Sequence, residues 1–496
     1  MRIVTMNWYV HKVMPTIMLS VVLTLVGCTS STSSVDVASK ATPSPSVVQM
    51  WLTTQDRQDK LTAQAPITLQ NGPASPAIGT LITVDPTQHF QRITGFGAAL
   101  TDSSAYLLGQ LSPQQQKAAM QALFDPQQGI GLSEVRIPMG ASDYTATPPD
   151  NPSPYSYDDL APGRTDPSLA HFSIAHDRTY TLPLLIEAKR INPQITTIAA
   201  PWSPPAWMKT NDSMVSGSIR SDSYNALAQY FVHFLQQYHS AGVSIDEITP
   251  QNEPGEINHG YPSLDMSGSQ EASFITQYLG PALAKAGLDT KIFGWDNEWL
   301  YYQQAEDLLS NASARSYLSG VAWHCYGGDP AVMDKVHTAY PSLEQEETEC
   351  STGPHGIAPL STFEVALQSI QHWASSALLW NIALDPSGGP KIGQGCAQCV
   401  GLMTVDAKQN TAQLTDEAIQ FGHFSKFVHP GALHIAATST NNNGIENVAF
   451  ENPDKTLAMV VRNSSSQVQT IIVQTSNKTS FTSILPAGAI ATYTWP

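Results

Sequence analysis

Ile245-Asp-Glu-Ile-Thr-Pro-Gln-Asn-Glu-Pro254 is the stretch on which the reading of this chain turns. Ahead of it, residues 224–238 space Leu227, Tyr230, Phe231 and Phe234 as one apolar stripe, the signature of a helix packed on a core. Ser240, Ala241 and Gly242 break that helix, and Val243, Ile245 and Ile248 begin a short buried run. Pro250 and Pro254 end the run and leave Asn252 and Glu253 just beyond a strand. A carboxylate at the carboxyl end of a strand that follows a helix is where a (β/α)8 barrel keeps its chemistry. Glu253 is therefore the first catalytic candidate. Asn-Glu-Pro alone would suit an ordinary turn, but the helix-then-strand context and a second carboxylate downstream favour the catalytic reading.

Working outward, the same alternation repeats. Helical patterns at 114–124 (entered through Ser112 as cap and Pro113 in the first turn), 182–191, 274–286, 305–318 and 363–373 are each followed by a short apolar run. Those runs lie at 132–138, 196–200, 291–295, 320–324 and 377–381. Such βα alternation builds a parallel sheet with helices outside, and a span of roughly 340 residues suits a closed barrel better than a doubly wound sheet. The barrel is expected over residues 93–430. On either side the texture changes to strands alone. Residues 47–54 and 79–84, punctuated by Asn71-Gly-Pro73 and Asp85-Pro86, precede the barrel. Strand-like runs at 445–450, 456–461, 468–473, 481–485 and 489–495 follow it, with turn residues at intervals of roughly ten. Residues 47–92 and 431–496 are expected to form one small all-β sandwich, because chain ends often meet.

Composition narrows the partners. The chain has 496 residues and a net charge of −17, with 24 basic against 41 acidic residues and no basic cluster, so nucleic acid is excluded as a partner. Charged residues make up only 13%, and the remaining polar surface is rich in hydroxyl and amide groups, suited to a neutral, hydroxyl-rich ligand. At the N-terminus, Arg2, His11 and Lys12 precede an apolar run at 13–26 that is shorter than the ~20 residues of a membrane span and reads as a signal segment. Leu25-Val-Gly-Cys28 resembles a bacterial lipoprotein box, which implies cleavage before Cys28 and lipid on its thiol. The alternative is ordinary signal cleavage and secretion. Residues 1–28 are thus assigned to the leader, and the Ser/Thr/Pro-rich residues 29–46 to a tether. The expectation is an exported, cell-envelope protein that touches the membrane only through a lipid anchor.

Several expected strands end in side chains able to meet a sugar. They deliver Asp143 and Tyr144, Trp202, Asn252 with Glu253, His324 with Tyr326, and Trp380 with Asn381. The acidic run Glu344 to Glu349 adds one more carboxylate before the helix at 363. Aromatic rings stack on the apolar faces of pyranoses while acids and amides bond the hydroxyls. Each aromatic taken singly is more often core; a series at one strand end after another points to a carbohydrate site. Spacing alone leaves Glu346, Glu347 and Glu349 all open as the second carboxylate.

Taken together the motifs resemble glycoside hydrolase family 30, the glucosylceramidase and endo-1,6-β-glucanase-like group. The likeness rests on Gly95-Phe-Gly-Ala-Ala-Leu-Thr-Asp102, Arg136-Ile-Pro-Met139 with Asp143, Pro201-Trp-Ser-Pro-Pro-Ala-Trp-Met-Lys-Thr210, Asn252-Glu-Pro254, Thr348-Glu-Cys350, Trp380-Asn-Ile-Ala-Leu-Asp-Pro386 with Gly388-Gly-Pro390, and Gly422-His-Phe-Ser-Lys-Phe427. The resemblance implies a retaining β-glycosidase with Glu253 as acid/base and Glu349 as nucleophile, on barrel strands 4 and 7. It implies Asn252 on the sugar 2-OH, Asp143, Trp202, Tyr326 and Trp380 around the sugar, and Arg136 beside the nucleophile. His324 and Asn381 complete the expected substrate-binding set. Two departures from the family stand out: Cys325 where an aromatic is common, and the Cys396-Ala-Gln-Cys399 loop after Gly395.

Two carboxylates answer the chemistry. A glycosidic oxygen leaves poorly unless protonated, and the anomeric carbon needs an ionised attacker. Held ~5–5.5 Å apart the pair forms a covalent glycosyl-enzyme, while ~6.5–9.5 Å admits a water and inverts the centre. Of the remaining cysteines, Cys396 and Cys399 suit a tight disulfide in an exported protein, and Cys350 reads as a small buried filler. His259, His324 and His372 lack ligand spacing, so no metal and no cofactor are assigned. Gly95-Phe-Gly97 lacks the third glycine and partner acid of a dinucleotide site, and no Gly-x-Ser-x-Gly elbow is present. The runner-up from another class is a catalytically silent sugar-binding lipoprotein on the same barrel. Substrates left open are β-1,6-glucan, glucosylceramide, and β-xylosides or β-fucosides, the choice resting on loops such as 148–164 and 258–270.

Overall fold

Eight parallel strands close on themselves in chain order. They are β1 (Gly95–Ala99), β2 (Glu134–Pro138), β3 (Thr196–Ala200), β4 (Glu247–Ile248), β5 (Lys291–Glu298), β6 (Leu318–His324), β7 (Glu344–Glu349) and β8 (Ser376–Leu379). The structure, a computed structural model, describes residues 47–72, 79–146, 154–257, 259–352, 358–396, 398–441 and 443–496. The expected leader, Cys28 and the tether lie outside the described residues.

The strands are short and buried on both faces, as a barrel wrapped in helices requires. The helix Tyr224–Ser240 turns Leu227, Tyr230, Phe231 and Phe234 inward, and it delivers the chain to β4. Ser112 caps the helix Pro113–Phe124 by accepting from the Gln115 amide. In β1 the strand presses so close to β2 that a Cβ on Gly97 would lie 1.8 Å from the Glu134 carbonyl oxygen; only glycine fits there.

Both chain ends build the second domain. Val47–Thr53 pairs antiparallel with Ile490–Trp495, and Thr80–Arg92 pairs antiparallel with Leu433–Ser439 and parallel with Gln469–Thr475. Val48, Leu52, Ile82, Val84, Met459 and Tyr493 are among the residues of its one apolar core. Its contact with the barrel includes His423, on the helix Asp416–Ser425, whose ring meets the Thr53 and Thr492 hydroxyls at 2.8 and 2.9 Å.

Four local expectations change. Asp85-Pro86 does not end a strand: Thr80–Arg92 runs through it, and the pairing skips from Asp85 to His89 opposite Ala436 and Ile435. Proline is tolerated at such a bulge because no ladder donor is needed there. β5 does not stop at 295 but continues to Glu298 through a bulge at Trp295 and Asp296, both left-handed at φ 76° and 54°. The helix expected at 274–286 begins at Gly268, under a Ser267–Gln270 capping box, and passes through one π-helical segment, Ile275–Leu279. The helix expected at 305–318 is two shorter ones, Tyr302–Leu309 and Ala312–Arg315, with Leu318 already in β6.

Candidate active site

Glu253 and Glu349 emerge from the carboxyl ends of β4 and β7 into one crater of about 250 Å³. With His324, each offers a polar atom within 4.8 Å of the others. The Glu253 backbone is left-handed (φ 42°), and its N–H donates to the Asp296 carbonyl at 3.0 Å. The bulge in β5 thus fixes the turn that aims Glu253. Strain of this kind persists where surrounding contacts over-determine it.

Beneath the crater floor lies a buried charge network. Arg136, fully buried on β2, donates to Glu349 at 2.5 Å, to the Asn252 amide oxygen at 2.6 Å and to Asp296 at 2.9 Å. Asp296 also accepts from Thr249 at 2.6 Å and Thr348 at 2.7 Å. Burial works against its charge, but Arg136 and His324 overrule it and hold the carboxyl well below the usual range. His324 Nδ1 lies 3.1 Å from Glu253 and Nε2 lies 3.2 Å from Asp296. Burial alone would strip its second proton, yet Glu349, Asp296 and Glu253 raise its pKa to about 10. At neutral pH both ring nitrogens therefore carry protons, one facing Glu253 and the other Asp296.

The sugar-facing wall is aromatic. Trp202 and Trp380 stack at 5.0 Å, and the Arg136 guanidinium sits 4.8 Å from the Trp202 ring centre. Tyr326 donates to Glu349 at 3.0 Å. Burial, then the charges of Glu349 and Glu253, push Asp143 up to about 8, so at neutral pH it can donate as well as accept toward a sugar hydroxyl. The rest of the lining is more polar, with Glu256, His259, Glu298 and Tyr301, while Tyr261 packs against the Trp202–Trp380 cluster. Tyr301 donates to Glu256 at 2.6 Å. The rim is tied to the 392–396 loop, where the Gln394 N–H donates to the His259 carbonyl at 2.8 Å. There Gly393 (φ 59°) approaches Gly260 so closely that a Cβ would meet its oxygen at 2.4 Å.

Of the acidic run, only Glu349 reaches the crater. Glu344 is outside, pairing with Lys291; Glu346 points into the barrel near its other end, with Glu134 and Glu247; Glu347 is buried beside Cys325 and Cys350. Those two cysteines are joined in a disulfide, as are Cys396 and Cys399. Cys350 is therefore not a mere filler: it staples the end of β7 to the residue after β6, one position from Glu349 on one side and from His324 and Tyr326 on the other. Asn381, expected on the sugar, does not line the crater. At φ 75° it turns its amide oxygen to accept from Thr101 at 2.8 Å and is fully buried. Arg136 and His324 are likewise buried beneath the floor, the two Arg136 Nη groups on Glu349, Asn252 and Asp296 and the His324 nitrogens facing Glu253 and Asp296. Neither exposes a polar atom to the crater, and their contacts run to Glu253, Glu349 and Asn252.

Residues 93–428 match the glycosyl hydrolase family 30 TIM-barrel domain, and residues 431–493 match the β-sandwich domain of the same family. The chain belongs to glycosyl hydrolase family 30. It is a glycoside hydrolase, and the reading as a silent sugar-binding protein has no support. Family 30 relatives include an endo-1,6-beta-D-glucanase of Neurospora crassa, 34% identical over 428 residues covering 83% of this chain and 87% of that protein. The lysosomal acid glucosylceramidase of Mus musculus is 28% identical over 442 residues, 84% of each chain. A solved structure of an endo-beta1,6-glucanase is 32% identical and superposes with a TM-score of 0.81 over 90% of this chain and 99% of that one.

Four positions in this family 30 site escaped the sequence reading: Asp296 beneath the floor, and Glu298, Glu256 and Tyr301 in the lining. Asp296 and Glu298 obey the same strand-end rule that picked out Glu253, but the apolar run at 291–295 ends before them. Arg136→Met would leave Glu349 and Asp296 buried without their shared cation. The expected loss is about 3–5 kcal/mol of stability, read by denaturant unfolding, and an unchanged midpoint would remove Arg136 from the network. Glu253, His324 and Glu349 lie close enough to share a cation, but the positive charge there already comes from the His324 imidazolium and from Arg136 on Glu349.

Proposed function

We propose that this enzyme is a retaining β-glucosidase of the endo-1,6-glucanase kind, with Glu349 as nucleophile and Glu253 as acid/base. The observation that carries the reading is the approach of the two carboxylates to within 4.8 Å across one crater, a separation that suits direct attack and leaves no room for the intervening water of inversion. Arg136 and Tyr326 each donate to Glu349, favouring its ionised form. In the first step Glu349 attacks the anomeric carbon while Glu253 protonates the departing oxygen. Glu349 is then an ester and carries no charge, so Glu253 takes a proton from water, and that water displaces Glu349. Asn252, anchored through its oxygen by Arg136, keeps its amide N–H group to offer the sugar 2-OH.

The choice of glucan over glucosylceramide is supported by the leaving-group rim. Glu256, His259, Glu298 and Tyr301 offer hydrogen bonds to a second sugar, whereas a ceramide needs apolar surface for its chains. The relatives named as endo-1,6-β-D-glucanases lend the same support. The test is reducing-sugar release from β-1,6-glucan set beside glucose release from glucosylceramide in detergent. Faster turnover of the glycolipid would reject the glucan assignment.

Burial raises the Glu349 carboxyl above the ordinary glutamate value of 4.5, against the pull of His324 and Arg136. Attack needs the ionised form, so kcat/KM falls as pH drops through that raised value. A profile still flat at pH 4.5 would contradict it. Export and lipid attachment at Cys28 belong to the same proposal, resting on the leader sequence. Labelled palmitate should enter the wild-type protein and not Cys28→Ser, and labelling of both equally would refute the anchor.

A further inference from the structure

At the opposite end of the barrel from the crater, three glutamates from three strands meet in the interior: Glu134 on β2, Glu247 on β4 and Glu346 on β7. Such barrel layers are normally filled by branched apolar side chains. Each glutamate is nearly or wholly excluded from solvent, and carboxylate oxygens of all three come within 4.8 Å of one another. Lys291 reaches one oxygen of Glu247 at 3.3 Å. The other Glu247 oxygen, both oxygens of Glu134 and both of Glu346 make no hydrogen bond, nor does the buried Ser376 hydroxyl beside Glu134.

Two ways exist to neutralise such a cluster. One is protonation: burial, then the charge of Glu247, pushes Glu134 and Glu346 well above the usual carboxyl range. A buried acid proton still needs an acceptor, and an unmet buried polar group is costly; the Ser376 hydroxyl beside Glu134 and the Glu247 carboxylate beside Glu346 could each take one such proton, which would leave other oxygens of the cluster without a donor. The other is a cation. Six unengaged oxygens, two each from Glu134 and Glu346, one from Glu247 and one from Ser376, are the hard donors that Ca²⁺ takes in sixes to eights at ~2.3–2.6 Å. Oxygens on opposite sides of such an ion stand up to about 5 Å apart, which accommodates the observed separation. Glu247 and Lys291 also wall a cavity of about 610 Å³, with Thr94, Thr196 and Asp289, on the face where the strands begin. That cavity gives an ion a route to Glu247.

We propose that Glu134, Glu247 and Glu346, with Ser376, bind one divalent cation of the Ca²⁺ class inside the amino-terminal end of the barrel, where it secures β2, β4 and β7 to one another. The ion takes no part in sugar chemistry, because the crater lies at the other end of the same strands.

The experiment uses the full-length purified enzyme. Metal content is measured by inductively coupled plasma mass spectrometry, and melting temperature is followed after chelator treatment and after adding CaCl2, MgCl2 or MnCl2. The expected result is close to one ion per chain after Ca²⁺ loading, with a Tm higher by about 3 °C or more at a hundredfold excess over its Kd. Glu346→Gln and Glu134→Gln are the informative variants, since the amide mimics a neutral carboxyl in shape but is a poor ligand. Each should lose the bound ion and the Tm response, with the wild-type measurements standing on their own if a variant does not fold. The inference is overturned if the wild type takes up no ion and its Tm ignores all three salts and chelator. It is equally overturned if the folded glutamine variants keep the same ion and the same response, which would place the ion elsewhere.

Discussion

Glu349→Gln should lower kcat on every β-glucoside by about 10⁴-fold or more, aryl substrates included, while the protein folds and binds substrate. The amide is nearly isosteric: its one oxygen can accept from Arg136 as Glu349 Oε2 does at 2.5 Å, and its NH2 takes the place of the Oε1 that accepts from Tyr326 at 3.0 Å, so the side chain keeps its position while the nucleophile is lost. Loss of a covalent nucleophile cannot be recovered by the remaining groups, because they act as a unit with it. Removing the negative charge leaves Arg136 with Asp296 as its carboxylate partner, which limits the structural damage. Stopped or discontinuous assays on an aryl β-glucoside give the readout, and a residual rate within tenfold of wild type would remove Glu349 from the nucleophile role.

Glu253→Gln should behave differently on different leaving groups. With β-1,6-glucan the departing alkoxide needs a proton, and loss of the acid is expected to reduce kcat/KM by about 10²–10⁴-fold. With a dinitrophenyl glucoside the first step needs no acid, so kcat/KM should stay near wild type. The second step still lacks its base, so turnover stalls after one equivalent of phenol is released. Added azide, which attacks without giving up a proton, should restore turnover and yield the β-glucosyl azide. Equal losses on the glucan and the activated substrate, with no response to azide, would contradict the acid/base assignment.

The barrel was legible because its helices carry clear apolar stripes and several of its strands are plain apolar runs. Two strands were not. β1 is Gly-Phe-Gly-Ala-Ala, whose glycines are there for close approach to β2 and give no strand signal. β7 is Glu-Gln-Glu-Glu-Thr-Glu, which reads as a solvated acidic run, yet all but its first residue are buried. Its glutamates fall to different surroundings along one strand, which is why spacing left Glu346, Glu347 and Glu349 open and the structure separates them.

The crater shows the same pattern. Strand-end carboxylates and aromatics were readable because a barrel gathers every strand end at one mouth. Asp296 was hidden by a bulge, since two left-handed residues in a row extend β5 beyond its apolar part. Asn381 misled for a related reason: it follows Trp380 in sequence, but its left-handed backbone turns the side chain away from the neighbour's direction. The Cys325–Cys350 bond was also invisible, because those residues are adjacent only once β6 and β7 lie side by side.

The central claim is that two carboxylates within 4.8 Å act by double displacement. The anomer released from an aryl β-glucoside, followed by proton NMR in the first minutes before mutarotation, tests it most directly. The account predicts that β-glucose appears first and the α form only later; α-glucose appearing first would mean a single inverting attack and would contradict it.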